Sequence, residues 1–192
     1  MSDTPTDAPP TEHREPPELR RAESLVLVNT GNGKGKSTAA FGTMIRSVAR
    51  GWPVAVVQFL KSGTWNTGEE KVARDLGVEW FAIGEGFTWD SEDLSRDQAV
   101  ALEAWRQAAS LLAAGTHRLV VLDEITYPMN WGWIDTDEVV AAIRDRSPKV
   151  NVICTGRDAP EPLLDLADTA TEMRVLKHAY ESGIRAMKGI DY

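Results

Sequence analysis

The stretch TGNGKGKS, Thr30 to Ser37, places three glycines, two lysines and a serine between an apolar run, SLVLV, and a helix-period segment, TAAFGTMIRSVAR. Gly31, Gly33 and Gly35 let the chain turn tightly, so that successive backbone N–H groups converge into a nest for an anion. The helix that follows adds the positive end of its dipole. Lys36 supplies a mobile charge for phosphate oxygens, and Ser37 a hydroxyl suited to a magnesium ion. The phosphate-loop pattern G-x-x-x-x-G-K-S/T is met at Gly35, Lys36 and Ser37, while Thr30 stands where its first glycine belongs. The order strand, glycine loop, Lys-Ser, amphipathic helix separates the stretch from an ordinary glycine-rich turn. It is not a dinucleotide fingerprint, which would need glycine at position 36.

A second charged pair fits the first. RLVVLDE sets Asp123 and Glu124 at the carboxyl end of an apolar strand, the edge at which open parallel sheets bind ligands. A carboxylate there can hold magnesium directly or through water. TGR, Thr155 to Arg157, closes another apolar strand and brings an arginine to the same edge. Arg157 would neutralise a phosphate or bind a carboxylate or amide of a second substrate, its plainer alternative being an ion pair with Asp158 or Glu161. Charge logic thus gives a magnesium-nucleotide protein and leaves the reaction open.

Aromatic residues gather outside the core pattern. Of seven tryptophans, Trp65, Trp89, Trp131 and Trp133 lie in glycine-rich or polar stretches, which suits contact with a flat, largely apolar ligand. GEGFTWD is the strongest of these, because glycines flank Phe87 and Trp89 after the third strand. Trp105 and Met44 sit on helical stripes and read as core. Cys154, in VNVICTG, is the single cysteine and reads as a small apolar residue of a buried strand. His13, His117 and His178 are scattered along the chain, so no zinc site is expected.

The elements that must position these groups alternate. Short apolar runs (LVLV, VAVVQFL, VEWFAI, LVVLDE, VNVICTG and a last strand near TEMRVL) are separated by helix-period segments at Ser37 to Arg50, Asp93 to Ala114, Thr136 to Arg146 and from about Pro160. The stretch between VAVVQFL and VEWFAI reads as merely polar. Phe41, Met44, Ile45 and Val48 share one face of the first helix; Leu102, Trp105, Ala109 and Leu112 share one face of the long middle one. Near-continuous apolar strands between helices predict an α/β fold, a mostly parallel sheet with helices on both faces. At 192 residues and 42% hydrophobic composition, one domain is expected over residues 24–192. Residues 1–23, with Pro5, Pro9, Pro10, Pro16, Pro17 and many charges, are expected to be a flexible amino-terminal segment. A net charge of -8 without any Lys/Arg block argues against a nucleic-acid partner. No membrane span and no signal peptide is apparent, which gives a cytoplasmic expectation.

Taken in order, TGNGKGKSTAAFG, VVQFLKSG, GEGFTWD, VVLDEITY, TGRDAPEPLLDLADTATEM and KHAYESGIRAMKGIDY make the chain resemble the corrinoid adenosyltransferases of the phosphate-loop type. The resemblance runs from about residue 25 to the carboxyl terminus. It implies a RecA-like phosphate-loop (P-loop NTPase) fold, a homodimer, and transfer of the 5′-deoxyadenosyl group of ATP to the Co(I) centre of a reduced corrinoid, releasing triphosphate, in adenosylcobalamin biosynthesis or salvage. It implies ATP binding by Asn32, Gly33, Lys34, Gly35, Lys36, Ser37 and Thr38, to which the reading of the residues adds Gly31 and Arg157, and magnesium at Ser37 and Glu124, to which that reading adds Asp123. Phe87 and Trp89 match the family's aromatic pair, which closes on the lower face of the corrin. Lys36, Phe87 and Trp89 are then the catalytic residues, and an electron-donating flavoprotein reductase the partner that supplies Co(I). Thr30 in the glycine position is shared with that family. Since a Co(I) corrinoid is itself the nucleophile, no catalytic serine, cysteine or general base is required.

Overall fold

The computed structural model describes residues 20–62, 68–84 and 94–191. Among these residues six strands form one parallel sheet: β1 (Val26–Thr30), β2 (Val54–Ser62), β3 (Glu79–Gly84), β4 (Leu119–Asp123), β5 (Asn151–Thr155) and β6 (Thr169–Glu172). Their spatial order is β3-β2-β4-β5-β1-β6. The helices are α1 (Lys36–Val48), α2 (Gly68–Asp75), α3 (Leu94–Ala114), α4 (Thr126–Asn130), α5 (Thr136–Arg144) and α6 (Glu161–Leu166), with a 3-10 turn at Ala179–Ser182. No helix among the described residues is long and apolar enough to cross a membrane.

Continuous apolar strands need cover on both faces, and the two core clusters supply it. Val26, Val28, Ala55, Val57, Val120, Leu122, Val152 and Cys154 point to one face, where α3, α5 and α6 bury Trp105, Leu112, Val139, Ile143 and Leu163. Val54, Val56, Val121 and Ile153 alternate to the other face, under Phe41 and Met44 of α1 and Ala73 of α2. Trp105 is core, and its indole N–H donates to Glu138 Oε1 at 2.6 Å. Cys154 is fully buried, and burial pushes its thiol up to about 12.

The structure differs from the sequence reading in α2, α4, β6 and Ile45, α4 being absent from that reading. The polar stretch before VEWFAI contains α2, whose sequence GEEKVARD buries only Glu70 and Ala73 and is laced by Lys71–Asp75 and Arg74–Glu70 pairs one turn apart. The last strand lies at Thr169–Glu172, sharing only Thr171 and Glu172 with TEMRVL: Leu176 is 90% exposed, and β6 joins the sheet edge through backbone pairing to β1 with all four residues exposed. Ile45 is exposed, unlike its stripe neighbours Phe41 and Met44. The segment expected to be flexible lies, up to residue 19, outside the described residues.

Candidate active site

β1 ends at Thr30, and the glycine loop carries the chain into α1. Gly31 and Gly35 have φ of 92° and 118°, left-handed values that side-chain-bearing residues avoid. Gly35 is the N-cap residue of α1 and offers no side chain to its first-turn amides, and that turn holds no acidic residue. Lys36, Ser37 and Thr38 therefore open a helix whose first-turn N–H groups and dipole suit an anion, with no carboxylate in that turn to oppose it. Thr30, at the motif's first glycine position, accepts a bond from the Ala159 amide at 3.1 Å on its hydroxyl, tying the phosphate loop to the loop that carries Arg157.

The loop is also pressed against the segment after β6. Gly33 N–H donates to Met173 O at 2.6 Å, and Met173 N–H to Thr30 O at 2.8 Å. Lys36 Nζ donates to Gly33 O at 2.8 Å, across its own loop. Lys34 Nζ meets Asp191 Oδ1 at 2.7 Å, a bond that holds the Asp191 carboxyl below its ordinary value.

Facing Lys36 are the ends of β4 and β5. Burial, and then the Arg157 guanidinium, pull the Lys36 ammonium below its ordinary value, while Glu124, Asp123 and Asp158 oppose that shift. These five charged groups therefore share one electrostatic neighbourhood at the carboxyl edge of the sheet. Tyr127, in α4, lies in it too: burial raises its phenol and Arg157 acts in the opposite sense. Tyr127, Trp131 and Trp133 form an aromatic run, with ring centroids 5.7 and 4.7 Å apart.

The two carboxylates differ. Asp123 is 1% exposed and each of its oxygens accepts a bond, Oδ2 from Gln58 Nε2 at 2.9 Å and Oδ1 from Thr155 Oγ1 at 2.8 Å. Glu124 is half-buried with φ of 64°, a left-handed backbone costing on the order of 1 kcal/mol for a non-glycine residue. Arg157 is exposed, between Gly156 and Asp158, both with positive φ, and its carbonyl accepts from Thr126 Oγ1 at 2.6 Å and Asn130 Nδ2 at 3.3 Å. Among the described residues neither Asp158 nor Glu161 pairs with it. Gln58 and Thr155 were missed by sequence reasoning; the available signal was a polar residue interrupting an otherwise apolar strand. Phe87 and Trp89, like Trp65, lie outside the described residues.

Comparison with known proteins identifies the family. Residues 22–192 match the family described as ATP:corrinoid adenosyltransferase BtuR/CobO/CobP. The chain is 45% identical over 168 residues to a corrinoid adenosyltransferase of Escherichia coli strain K12, covering 88% of this chain and 85% of that one. It is 42% identical over 175 residues to the corrinoid adenosyltransferase CobA of Salmonella typhimurium strain LT2, covering 91% and 89%. Among solved structures, the flagellar accessory protein FlaH of Methanocaldococcus jannaschii aligns with a TM-score of 0.54 at 13% identity, over 79% of this chain and 71% of that one. That likeness concerns the fold alone, a RecA-like phosphate-loop α/β architecture.

Proposed function

This chain belongs to the ATP:corrinoid adenosyltransferase family, and we propose that its phosphate loop holds the triphosphate of ATP while a reduced corrinoid attacks the ribose 5′ carbon. The chain is an adenosyltransferase that acts on corrinoids in cobalamin biosynthesis. The observation that carries the residue assignment is the convergence of Lys36, Glu124 and Arg157 on one electrostatic neighbourhood at the sheet edge. A C–O bond breaks, a carbon–cobalt bond forms, and triphosphate leaves with the bonding electrons. The protein's task is to align the reactants and stabilise the charge gathering on the leaving group.

The first-turn amides of α1 and the ammonium of Lys36 would meet that charge, the Gly33 amide joining them only if its bond to Met173 O opens, and Lys34 and Arg157 would add to it from either side. Ser37 and Glu124 offer hard oxygen donors, with Asp123 behind them. One hydroxyl and one carboxylate suit an ion that takes its remaining ligands from phosphates and water. A magnesium ion held there would neutralise triphosphate oxygens. Phe87 and Trp89 would close on the lower face of the corrin and exclude an axial ligand, which eases reduction to Co(I). We assign the catalytic domain to residues 24–192 and a cytoplasmic location, with a flavoprotein reductase as electron donor. A homodimer is supported by the apolar side chains exposed along the last segment, Leu176, Tyr180, Ile184, Met187 and Ile190.

Incubation with ATP and chemically reduced corrinoid tests the reading. The expected products are an adenosylated corrinoid and triphosphate; ADP and phosphate alone, without a cobalt–carbon bond, would exclude it. Trp89→Ala is expected to spare ATP binding and to cripple the reaction with corrinoids that start as Co(II).

A further inference from the structure

Glu124 holds its left-handed backbone within a chain of buried hydrogen bonds whose direction is forced. Trp80 Nε1–H can only donate, and it donates to Gln58 Oε1 at 3.2 Å. That fixes the orientation of the Gln58 amide, whose Nε2 donates to Asp123 Oδ2 at 2.9 Å. The other Asp123 oxygen takes the single hydroxyl proton of Thr155 at 2.8 Å. With its proton committed, Thr155 Oγ1 has a lone pair left, and the Glu124 amide donates to it at 2.9 Å. Gln58, Asp123 and Thr155 are all at least 98% buried, so water does not compete for these bonds.

We propose that Thr155 is a positioning residue of the adenosyl transfer: its hydroxyl, anchored from behind by Asp123, Gln58 and Trp80, pins the Glu124 backbone so that the Glu124 carboxylate faces the phosphate loop. Asp123 acts in this arrangement as the buried anion that orients the Thr155 hydroxyl. The inference rests on the proposed role of Glu124 at the triphosphate. The peptide unit of Glu124 would relax toward an ordinary φ without the Thr155 bond, carrying its carboxylate away from Lys36 and Ser37. Residues that orient a ligating group commonly matter tenfold to a hundredfold in metal affinity or activity.

The test compares Thr155→Val, which keeps the shape and deletes the hydroxyl, with Thr155→Ser, which keeps the hydroxyl, alone and combined with Glu124→Gln. Thr155→Val is expected to lower kcat tenfold to a hundredfold with an unchanged KM for corrinoid, and to weaken Mn2+ binding in the presence of ATP, read by electron paramagnetic resonance. Thr155→Ser is expected to restore both. In the Glu124→Gln background Thr155→Val is expected to cost nothing further, because its effect passes through Glu124. Full activity of Thr155→Val, losses that simply add to those of Glu124→Gln, or failure of Thr155→Ser to rescue would each overturn the proposal. Full activity of Glu124→Gln alone would instead overturn the site reading beneath it. Should Thr155→Val not fold, Thr155→Ala takes its place, and failure of both would assign Thr155 to folding and refute the positioning role.

Discussion

Replacing Gly33 with alanine isolates the contact between the phosphate loop and the segment after β6. Gly33 is not left-handed, so alanine is acceptable to its backbone, and any cost must come from space. An added Cβ would sit 2.7 Å from Met173 O, 2.8 Å from Met173 C and 2.9 Å from Arg174 C, all of them backbone atoms that cannot turn aside as a side chain would. Overpacking of this kind costs about 1–3 kcal/mol. Moving the loop away also breaks the 2.6 Å Gly33–Met173 bond, worth about 1 kcal/mol. A loss of about 3 kcal/mol should lower Tm by roughly 6–12 °C for a domain of this size. Thermal and urea unfolding measure it, with Gly42→Ala as the control: Gly42 lies inside α1 with nothing within 4 Å of its Cβ position, and alanine there should stabilise by about 0.5–1 kcal/mol. If Gly33→Ala unfolds with the wild type, the loop is not braced by Met173 and the argument fails.

Three further outcomes are expected. Lys36→Ala should slow the reaction by on the order of 3 kcal/mol, about a hundredfold or more, in single-turnover assays, as loss of one preorganised charge commonly does. Because burial and Arg157 lower the Lys36 ammonium from 10.5, ATP affinity measured by calorimetry should hold steady at lower pH and fall as pH rises through that lowered value; Lys36→Arg should abolish this fall. Cys154, pushed up to about 12 and fully buried, should resist Ellman's reagent at pH 8 in the native protein and release one equivalent when unfolded; prompt native labelling would contradict the core assignment.

What the chain reveals before folding depends on how each group does its work. β4 and β5 are legible because LVVLD and NVICT must be covered on both faces, and apolar runs announce that need. The phosphate loop is legible because glycines and Lys-Ser carry a fixed chemistry. β6 was placed too late because Met173, Val175 and Leu176 imitate a core strand, whereas TATE earns its position through backbone bonds, which leave no apolar trace. α4 escaped notice as five residues with a proline inside, held beneath the Arg157 loop by Thr126 and Asn130. Gln58 and Thr155 were passed over because their importance lies in partners 65 and 32 positions along the chain, a relation that only the register of β2, β4 and β5 creates.

The phosphate-loop strand finds both its neighbours far downstream, since Val26 aligns with Val152 of β5 and Leu27 with Thr169 of β6. Pairings of that sequence separation close large loops and form slowly compared with helices and adjacent strands. β1 must therefore wait for β6 before its nucleotide loop is braced. Refolding should restore helical signal well before it restores the capacity to hold ATP, and during synthesis the enzyme's first motif stays without its support until the final stretch of chain has emerged.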